Sequence, residues 1–203
     1  MAQKDFVIAT MPGDGIGKDI VNAATSIVDL SSDIIGGYKC NWDLINAGAT
    51  YFALTGKDVE PGGEEKADKS DSIFLGAIGL PTIRHTDGTE ICPHLRFREV
   101  FNLYAGVRPV KAYPNITNRL SNELSSKIDL VILRESTEGL FYSAAVHNRC
   151  PVDNNEEVQD IMRITRTTTE KLHDFAFNLA RQRKNKGKLL SLIHISEPTR
   201  RRG

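Results

Sequence analysis

An excess of charge of either sign is missing from this sequence: its 203 residues hold 26 Lys and Arg against 26 Asp and Glu. A balanced chain has no electrostatic pull towards nucleic acid or an anionic membrane, and neither is expected as a partner. Long apolar runs are missing too, and none approaches the roughly 20 residues that a membrane span needs. Met1 to Asp5 lead straight into an apolar strand, without the apolar core of a signal peptide. Cysteine is scarce. Cys40, Cys92 and Cys150 are odd in number and widely spaced, with no CxxC among them, which speaks against a disulfide framework and a zinc site. A reducing compartment fits, so a cytoplasmic protein is expected; a mitochondrial matrix protein without its presequence would read the same way. What is present is ordinary for a globular chain, with 40% hydrophobic and 26% charged residues. No internal repeat is evident.

One segment is expected not to belong to the protein. Leu190 to Arg200 reads LSLIHISEPTR, the translation of a transposon end and adapter of the kind used to prepare sequencing libraries. The competing reading is a genuine apolar strand followed by a basic tail. The stretch 189–203 is therefore taken as a non-native tail and kept out of fold reasoning, and Arg200, Arg201 and Arg202 carry no functional message.

Asp5 to Met11 reads as a buried strand and Pro12 to Gly17 as a tight turn. Ile20 to Leu30 reads as a helix with Ile20, Val21, Ala24, Ile27 and Val28 on one face. Strand, glycine turn and helix make the first half of a βαβ unit. Lys39 to Leu44 is a second strand, Asn46 to Leu54 a helix, and Val59 to Ser70 a polar stretch punctuated by Pro61-Gly62-Gly63. Ser72 to Gly76 is a short buried strand, and Ile83 to Cys92 a polar loop too rich in His, Thr, Asp and Gly to be core. A helix is expected over Leu95 to Phe101, strands over Leu103 to Val107 and Asp129 to Leu133, and an extended arm over Gly139 to His147. Thr167-Thr168-Thr169-Glu170 has capping-box spacing and opens a helix with Leu172, Phe175, Ala176, Leu179 and Ala180 on one face. Arg181 to Lys188 reads as its solvated basic end. Alternating strands and helices predict an α/β fold, divided near Phe101 into a first domain over 1–101 and a second over 102–188.

Gly13-Asp14-Gly15-Ile16-Gly17 is not the dinucleotide fingerprint, which needs two residues between its last glycines, and it lacks the Lys-Ser or Lys-Thr of a P-loop. A ligand-side turn and a plain strand-to-helix turn both stay open. Three arginines say more. Arg98 lies on the expected helix, Arg108 at a strand end, and Arg134 at the end of the strand from Asp129. Arginines at strand ends need anions, and a guanidinium grips a carboxylate through two parallel hydrogen bonds. Three that converge would suit a di- or tricarboxylic acid; three unrelated surface salt bridges would look the same in sequence.

Taken in order, five segments resemble the isocitrate/isopropylmalate dehydrogenase family, the β-decarboxylating dehydrogenases. They are Pro12 to Gly17, Leu95-Arg96-Phe97-Arg98, Leu103 to Lys111 (LYAGVRPVK), Arg134 to Gly139 (RESTEG), and the helix running from Ile164-Thr165-Arg166 to Arg181. The resemblance covers essentially all of residues 5–188. It implies a two-domain isopropylmalate dehydrogenase-like α/β fold, truncated here, with the first domain on the cofactor side and the second on the substrate and dimer side. It implies that Arg98, Arg108 and Arg134 hold the carboxylates of a malate-type 2-hydroxy acid, that Ile16 lies beside the cofactor, and that Thr89 and Glu90 approach the nicotinamide. NAD or NADP, magnesium or manganese, and a homodimer with a site shared between subunits follow in the same way. The implied reaction is hydride transfer from C2, loss of carbon dioxide from the resulting β-keto acid with a divalent metal as Lewis acid, and protonation of the enolate. Cys92 and His94 do not form the leucine-rich lining that an isopropyl group would need, which favours a more polar substituent.

Two departures stand out. Many relatives carry a tyrosine seven residues after the third arginine, where this chain has Phe141. Tyr142 is adjacent and would serve as proton donor if the arm were shifted by one residue, although neighbours in an extended segment face opposite ways. Protonation by another group, a plain dehydrogenase and a non-catalytic regulatory subunit all stay open. The second departure concerns what the resemblance places beyond Lys188: the family's catalytic lysine, metal-binding aspartates and cofactor-selecting residues. Asp14, Asp129 and Glu135 are not taken as substitutes for those metal ligands, and the fragment alone is expected to be inactive. Gly187-Lys188-Leu189 reads as the start of the lysine-bearing strand. A nucleotide-binding module resting on the glycine turn alone ranks last.

Overall fold

The structure is a computed structural model that describes residues 3–116, 120, 123–145, 154 and 156–183. The chain falls into two units, Met1–Phe101 and Asn102–Gly203. The first is built on three parallel strands, β1 (Lys4–Gly13), β2 (Tyr38–Leu44) and β3 (Ser72–Ala77), in the order β2-β1-β3. Helix α1 (Gly17–Ile35) connects β1 to β2, and α2 (Ala49–Thr55) and α3 (Gly63–Lys69) lie between β2 and β3 in the chain. Helix α4 (Pro93–Val100) follows β3.

Alternation along the central strand explains how both faces are covered. Ala9 and Met11 are fully buried on one face, in a core with Ile45, Ala47, Val59, Ala67 and Phe97. Ile8 and Thr10 point the other way, in register with Trp42 and Phe74 respectively. The Trp42 and Phe74 rings lie 5.8 Å apart, and the Trp42 indole N–H donates to Asp29 of α1 at 2.9 Å. A parallel sheet sandwiched between helices needs apolar residues on both faces, and β1 supplies them.

The turn after β1 is tighter than the sequence suggested, because the strand runs on through Pro12 and Gly13. Gly13 has φ +74°, and a Cβ there would lie 2.1 Å from the Ala77 carbonyl oxygen; a Cβ on Gly17 would lie 2.2 Å from the Pro12 oxygen. Close backbone packing between β1, β3 and α1 thus requires these glycines. Between them the Asp14 carboxylate, only 2% exposed, accepts from the backbone N–H of Ala49 at 2.8 Å, Thr50 at 2.7 Å and Gly79 at 2.8 Å. It ties the turn to the first turn of α2 and to the loop after β3. Burial by itself pushes the Asp14 pKa up, but the hydrogen bonds from Thr50, Gly79 and Ala49 outweigh it and hold the carboxyl below its ordinary value.

Several expectations need correction in this unit. The polar stretch from Val59 to Ser70 contains α3, which buries little beyond Gly63 and Ala67 and so carries no apolar period to read. It is held instead by ions: Arg96 of α4 donates to Glu64 at 2.6 Å and to Asp58 at 2.7 Å. Helix α2 begins at Ala49, later than Asn46, because Ala47 forms a bridge with Val59. The loop Ile83 to Cys92 does reach the core, with Ile91 only 1% exposed. On α1, Val21 is buried and Ala24 and Val28 half-buried, whereas Ile20 and Ile27 are exposed. The helix carries a wider apolar arc than the sheet covers.

The second unit pairs β4 (Ala105–Lys111) antiparallel with β5 (Asp129–Glu135). A 3-10 turn over Glu123–Lys127 precedes β5, and helices α5 (Phe141–Ala145) and α6 (Arg166–Gln182) follow it. Leu103 and Tyr104 lie before β4 rather than within it, after a turn at Asn102 with φ 50°. Where an extended arm was expected from Gly139, a Gly139–Arg163 bridge leads into the short helix α5. Helix α6 is capped by Thr165, not Thr167: the Thr165 side chain accepts from the Thr168 N–H, and Glu138 occupies the capping position expected of Glu170. Its inner face is the expected one, with Ala176 buried and Leu172, Phe175, Leu179 and Ala180 half-buried. Beyond its end Arg183 pairs with Asp129 and is not part of a purely solvated tail. Residues 146 and 147 of the arm, Cys150, the rest of the basic run, the Gly187-Lys188-Leu189 segment and the tail from 189 lie outside the described residues. No helix among the described residues is long and apolar enough to cross a membrane.

Asp14→Ala should lower the stability of the first unit by about 3 kcal/mol at neutral pH, because three backbone donors lose a charged acceptor. The folded-state pKa of Asp14 lies below its ordinary 3.8. Its contribution is therefore complete above that value and lost as the pH falls through the folded-state pKa. Urea denaturation at pH 7 and pH 3 should show the gap between wild type and variant narrowing; an equal gap at both would refute the assignment.

Candidate functional site

Register brings two of the three arginines together. Arg108 of β4 stands opposite Ile132 of β5, and Gly106 opposite Arg134. Opposed residues of an antiparallel pair share a face, so Arg108 and Arg134 are diagonal neighbours on one face, with Cβ atoms roughly 7 Å apart. Neither has an acidic partner among the described residues. Arg108 is exposed, while the Nε of Arg134 is buried without a hydrogen-bond partner. Gly106 leaves room beside this pair: a Cβ there would lie 2.9 Å from the buried Ser136 hydroxyl and 3.1 Å from the Arg134 carbonyl oxygen. Two unneutralised guanidinium groups on one strand pair are mutually repulsive and attract an anion, above all a carboxylate.

The segment after β5 is tightly held. Glu135 accepts from the Thr137 N–H and hydroxyl at 2.7 and 2.6 Å and from the Glu138 N–H at 2.7 Å. Glu138 accepts from the Thr165 N–H and hydroxyl, both at 2.7 Å, and from the Thr168 hydroxyl at 3.1 Å. Burial opposes ionisation of Glu138, but the hydrogen bonds from Thr165 and Thr168 and the charge of Arg163 hold its pKa below the ordinary value. At the end of this segment the Arg134 guanidinium lies 5.1 Å from the Phe141 ring centroid, and the Arg163 guanidinium 4.9 Å from that of Tyr142. Phe141, not Tyr142, is therefore the ring set against Arg134. The two residues share a helical turn and differ by about 100° in direction, so the alternation of an extended arm does not apply. Neither the place of Glu138 nor that of Phe141 is marked by any sequence period.

Arg98 belongs to the first unit, one turn along α4 from His94. Burial first, and the Arg98 charge second, hold the His94 pKa below its ordinary value, and its Nδ1 is buried without a partner. Burial and then the Glu90 carboxylate push the Cys92 thiol up, which leaves it a poor nucleophile at neutral pH. Among the residues expected near a cofactor, Ile16 is 66% exposed at the N-cap of α1. Thr89 and Glu90 are engaged within their own loop: the Thr89 N–H and hydroxyl donate to Asp87, and Glu90 pairs with Arg84 at 3.0 Å. A cleft of about 390 Å³ beside the glycine turn is lined by Pro12, Gly13, Lys18, Asn22, Leu44 and Tyr51 among others, and by none of Ile16, Thr89 and Glu90.

Three acidic residues in or beside the expected site segments are already engaged. Asp14 is committed to three backbone donors, Asp129 to Arg183, and Glu135 to Thr137 and Glu138. Among the described residues no three His, Cys, Asp or Glu side chains are grouped to hold an ion.

The sequence pattern of the isocitrate/isopropylmalate dehydrogenases matches residues 7–194. This chain belongs to that family. The last matched residues overlap the segment read as adapter-derived from Leu190. A probable tartrate dehydrogenase/decarboxylase of Agrobacterium vitis is 30% identical over 200 residues, covering 97% of this chain and 54% of the relative. A 3-isopropylmalate dehydrogenase of Heyndrickxia coagulans is 31% identical over 198 residues, covering 95% and 53%. The crystal structure of isocitrate dehydrogenase from Methylococcus capsulatus superposes with a TM-score of 0.67 at 26% identity, over 87% of this chain and 48% of that one. The chain thus spans about half the length of the family members it matches.

Gly106→Ala should cost the second unit about 1 kcal/mol, since Ser136 and Arg134 must shift to admit a methyl group. Denaturant titration followed by circular dichroism measures this; an unchanged midpoint would mean that the Gly106 face has room to spare.

Proposed function

We propose that this chain supplies the substrate grip of an NAD- or NADP-linked, metal-dependent β-decarboxylating dehydrogenase acting on a malate-type 2-hydroxy acid. The observation that carries this reading is the diagonal pair Arg108 and Arg134, two cations on one strand face without acidic partners among the described residues. Each can take one carboxylate oxygen pair through its guanidinium fork. Arg98 is proposed as the third contact, and the names of the relatives, which include tartrate, isopropylmalate and isocitrate enzymes, share the malate-like portion that such arginines would hold.

In this proposal the arginines fix the acid so that the C2 hydrogen faces the nicotinamide, and their charge stays complementary to the two carboxylates during hydride transfer. Ile16 would offer the nicotinamide an apolar surface at the start of α1, with Thr89 and Glu90 approaching from their loop. The cofactor supplies the hydride acceptor. The described residues do not fit a metal, so no step is assigned to one here. The final proton is not assigned to Tyr142, whose ring faces Arg163. A second reading, a subunit that binds the acid without turning it over, is favoured by one observation: the ring against Arg134 is Phe141, which has no proton to give. The protein is proposed to act as a cytoplasmic homodimer.

Arg108→Ala in the full-length gene product should reduce kcat/KM for its hydroxy acid by about a hundredfold or more, as loss of a charge-assisted contact to the reacting acid requires. Arg166→Ala, which removes an exposed partner of Glu170, is the control and should change it less than about twofold. Near-normal efficiency in the Arg108 variant would sink the proposal. A wild-type protein that binds the acid but shows no turnover would instead establish the second reading.

A further inference from the structure

We infer that Glu138 is a positioning residue for the substrate grip, holding the turn that sets Phe141 against Arg134 and so orienting that guanidinium for a substrate carboxylate. This rests on the reading of Arg134 as a substrate ligand. Both oxygens of Glu138 are engaged at the start of α6: one accepts from the Thr165 N–H, the other from the Thr165 and Thr168 hydroxyls. A carboxylate at the N-terminus of a 17-residue helix also faces the positive end of its dipole. The backbone of the same residue is tied on both sides. Its N–H donates to Glu135, the residue directly after Arg134, and its carbonyl accepts from the Phe141 N–H at 3.3 Å. Gly139, the next residue, exchanges hydrogen bonds with Arg163 at 2.7 and 3.4 Å and has φ +67°.

The span from Arg134 to Phe141 is therefore closed at both ends, with the Glu138 side chain as its anchor on a long helix. The ring it delivers lies against the Arg134 guanidinium, 5.1 Å from centroid to Cζ. Without that contact a long arginine side chain regains rotamers, and a substrate carboxylate must order it again on binding. Glu138 itself need not touch the substrate for this to weaken the grip.

The test is calorimetric affinity for malate, which presents the 2-hydroxy acid and both carboxylates and little else, in the full-length gene product. Glu138→Ala should raise Kd about tenfold. Glu138→Gln keeps an acceptor oxygen for Thr165 and should recover most of the loss. Phe141→Leu should weaken binding to a similar extent, and combining it with Glu138→Ala should add little, because both act through one contact. Additive effects, or an unchanged Kd in folded Glu138→Ala, would overturn the inference. If Glu138→Ala fails to fold, Glu138→Asp, whose shorter side chain falls short of Thr165 and Thr168, carries the same additivity test in combination with Phe141→Leu. Should Arg134→Met leave malate affinity unchanged, the substrate-grip reading itself falls and this inference with it; a weakened Arg134 variant beside an unaffected Glu138 variant overturns the positioning role alone.

Discussion

A carboxylate buried at a strand end persists only where the backbone supplies donors for it, and Asp14 has three. The close approach of β1, β3 and α1 at Gly13 and Gly17 surrounds that carboxylate, and the first turn of α2 is aimed at it. The same device recurs in the second unit, where Glu135 and Glu138 accept from backbone N–H groups of the turn and of α6. In each unit acidic side chains are thus used to terminate and join backbone segments. The consequence is electrostatic: carboxylates held this way are not available to neutralise Arg108 and Arg134, which keep their attraction for an external anion.

The elements legible in sequence were those whose burial imposes a period. β1, β3 and β5 show as short apolar runs, β2 only weakly because Lys39, Asn41 and Asp43 interrupt it, and α6 shows its inner face from Leu172 to Ala180. What escaped is held by polar contacts. Helix α3 buries almost nothing and is fixed by Arg96 bridging Glu64 and Asp58, an arrangement between residues far apart in sequence. The cap of α6 was misplaced for the same reason. The run Thr165 to Thr169 offers several hydroxyls, and the donor–acceptor pairing that selects Thr165 includes Glu138, which lies before the helix by a long connection. α1 failed differently: Ile20, Val21, Ala24, Ile27 and Val28 were read as one face, of which Val21 is buried, Ala24 and Val28 are half-buried, and Ile20 and Ile27 are exposed.

The site divides along similar lines. Arg98 on its helix and Arg108 and Arg134 at expected strand ends stand out in sequence as cations, although β4 runs on past Arg108 to Lys111, and the resemblance assigns them a role. Their chemical type is visible; the pairing of two of them is not, because register depends on which residues face each other across β4 and β5. Phe141 shows the limit more sharply. Its lack of a hydroxyl is plain from sequence, yet whether it or Tyr142 meets Arg134 depends on the arm being extended or helical. The bridge from Gly139 to Arg163 makes it helical and puts Phe141 there.

That arrangement also bears on how such a grip discriminates. Arg134, with its Cζ 5.1 Å from the Phe141 ring centroid and its Nε buried, is partly desolvated before any acid arrives. An exposed neighbour such as Arg108 remains hydrated and supplies long-range attraction. What separates the two arginines is therefore their surroundings, an aromatic ring beside a buried Nε at Arg134 and open solvent at Arg108.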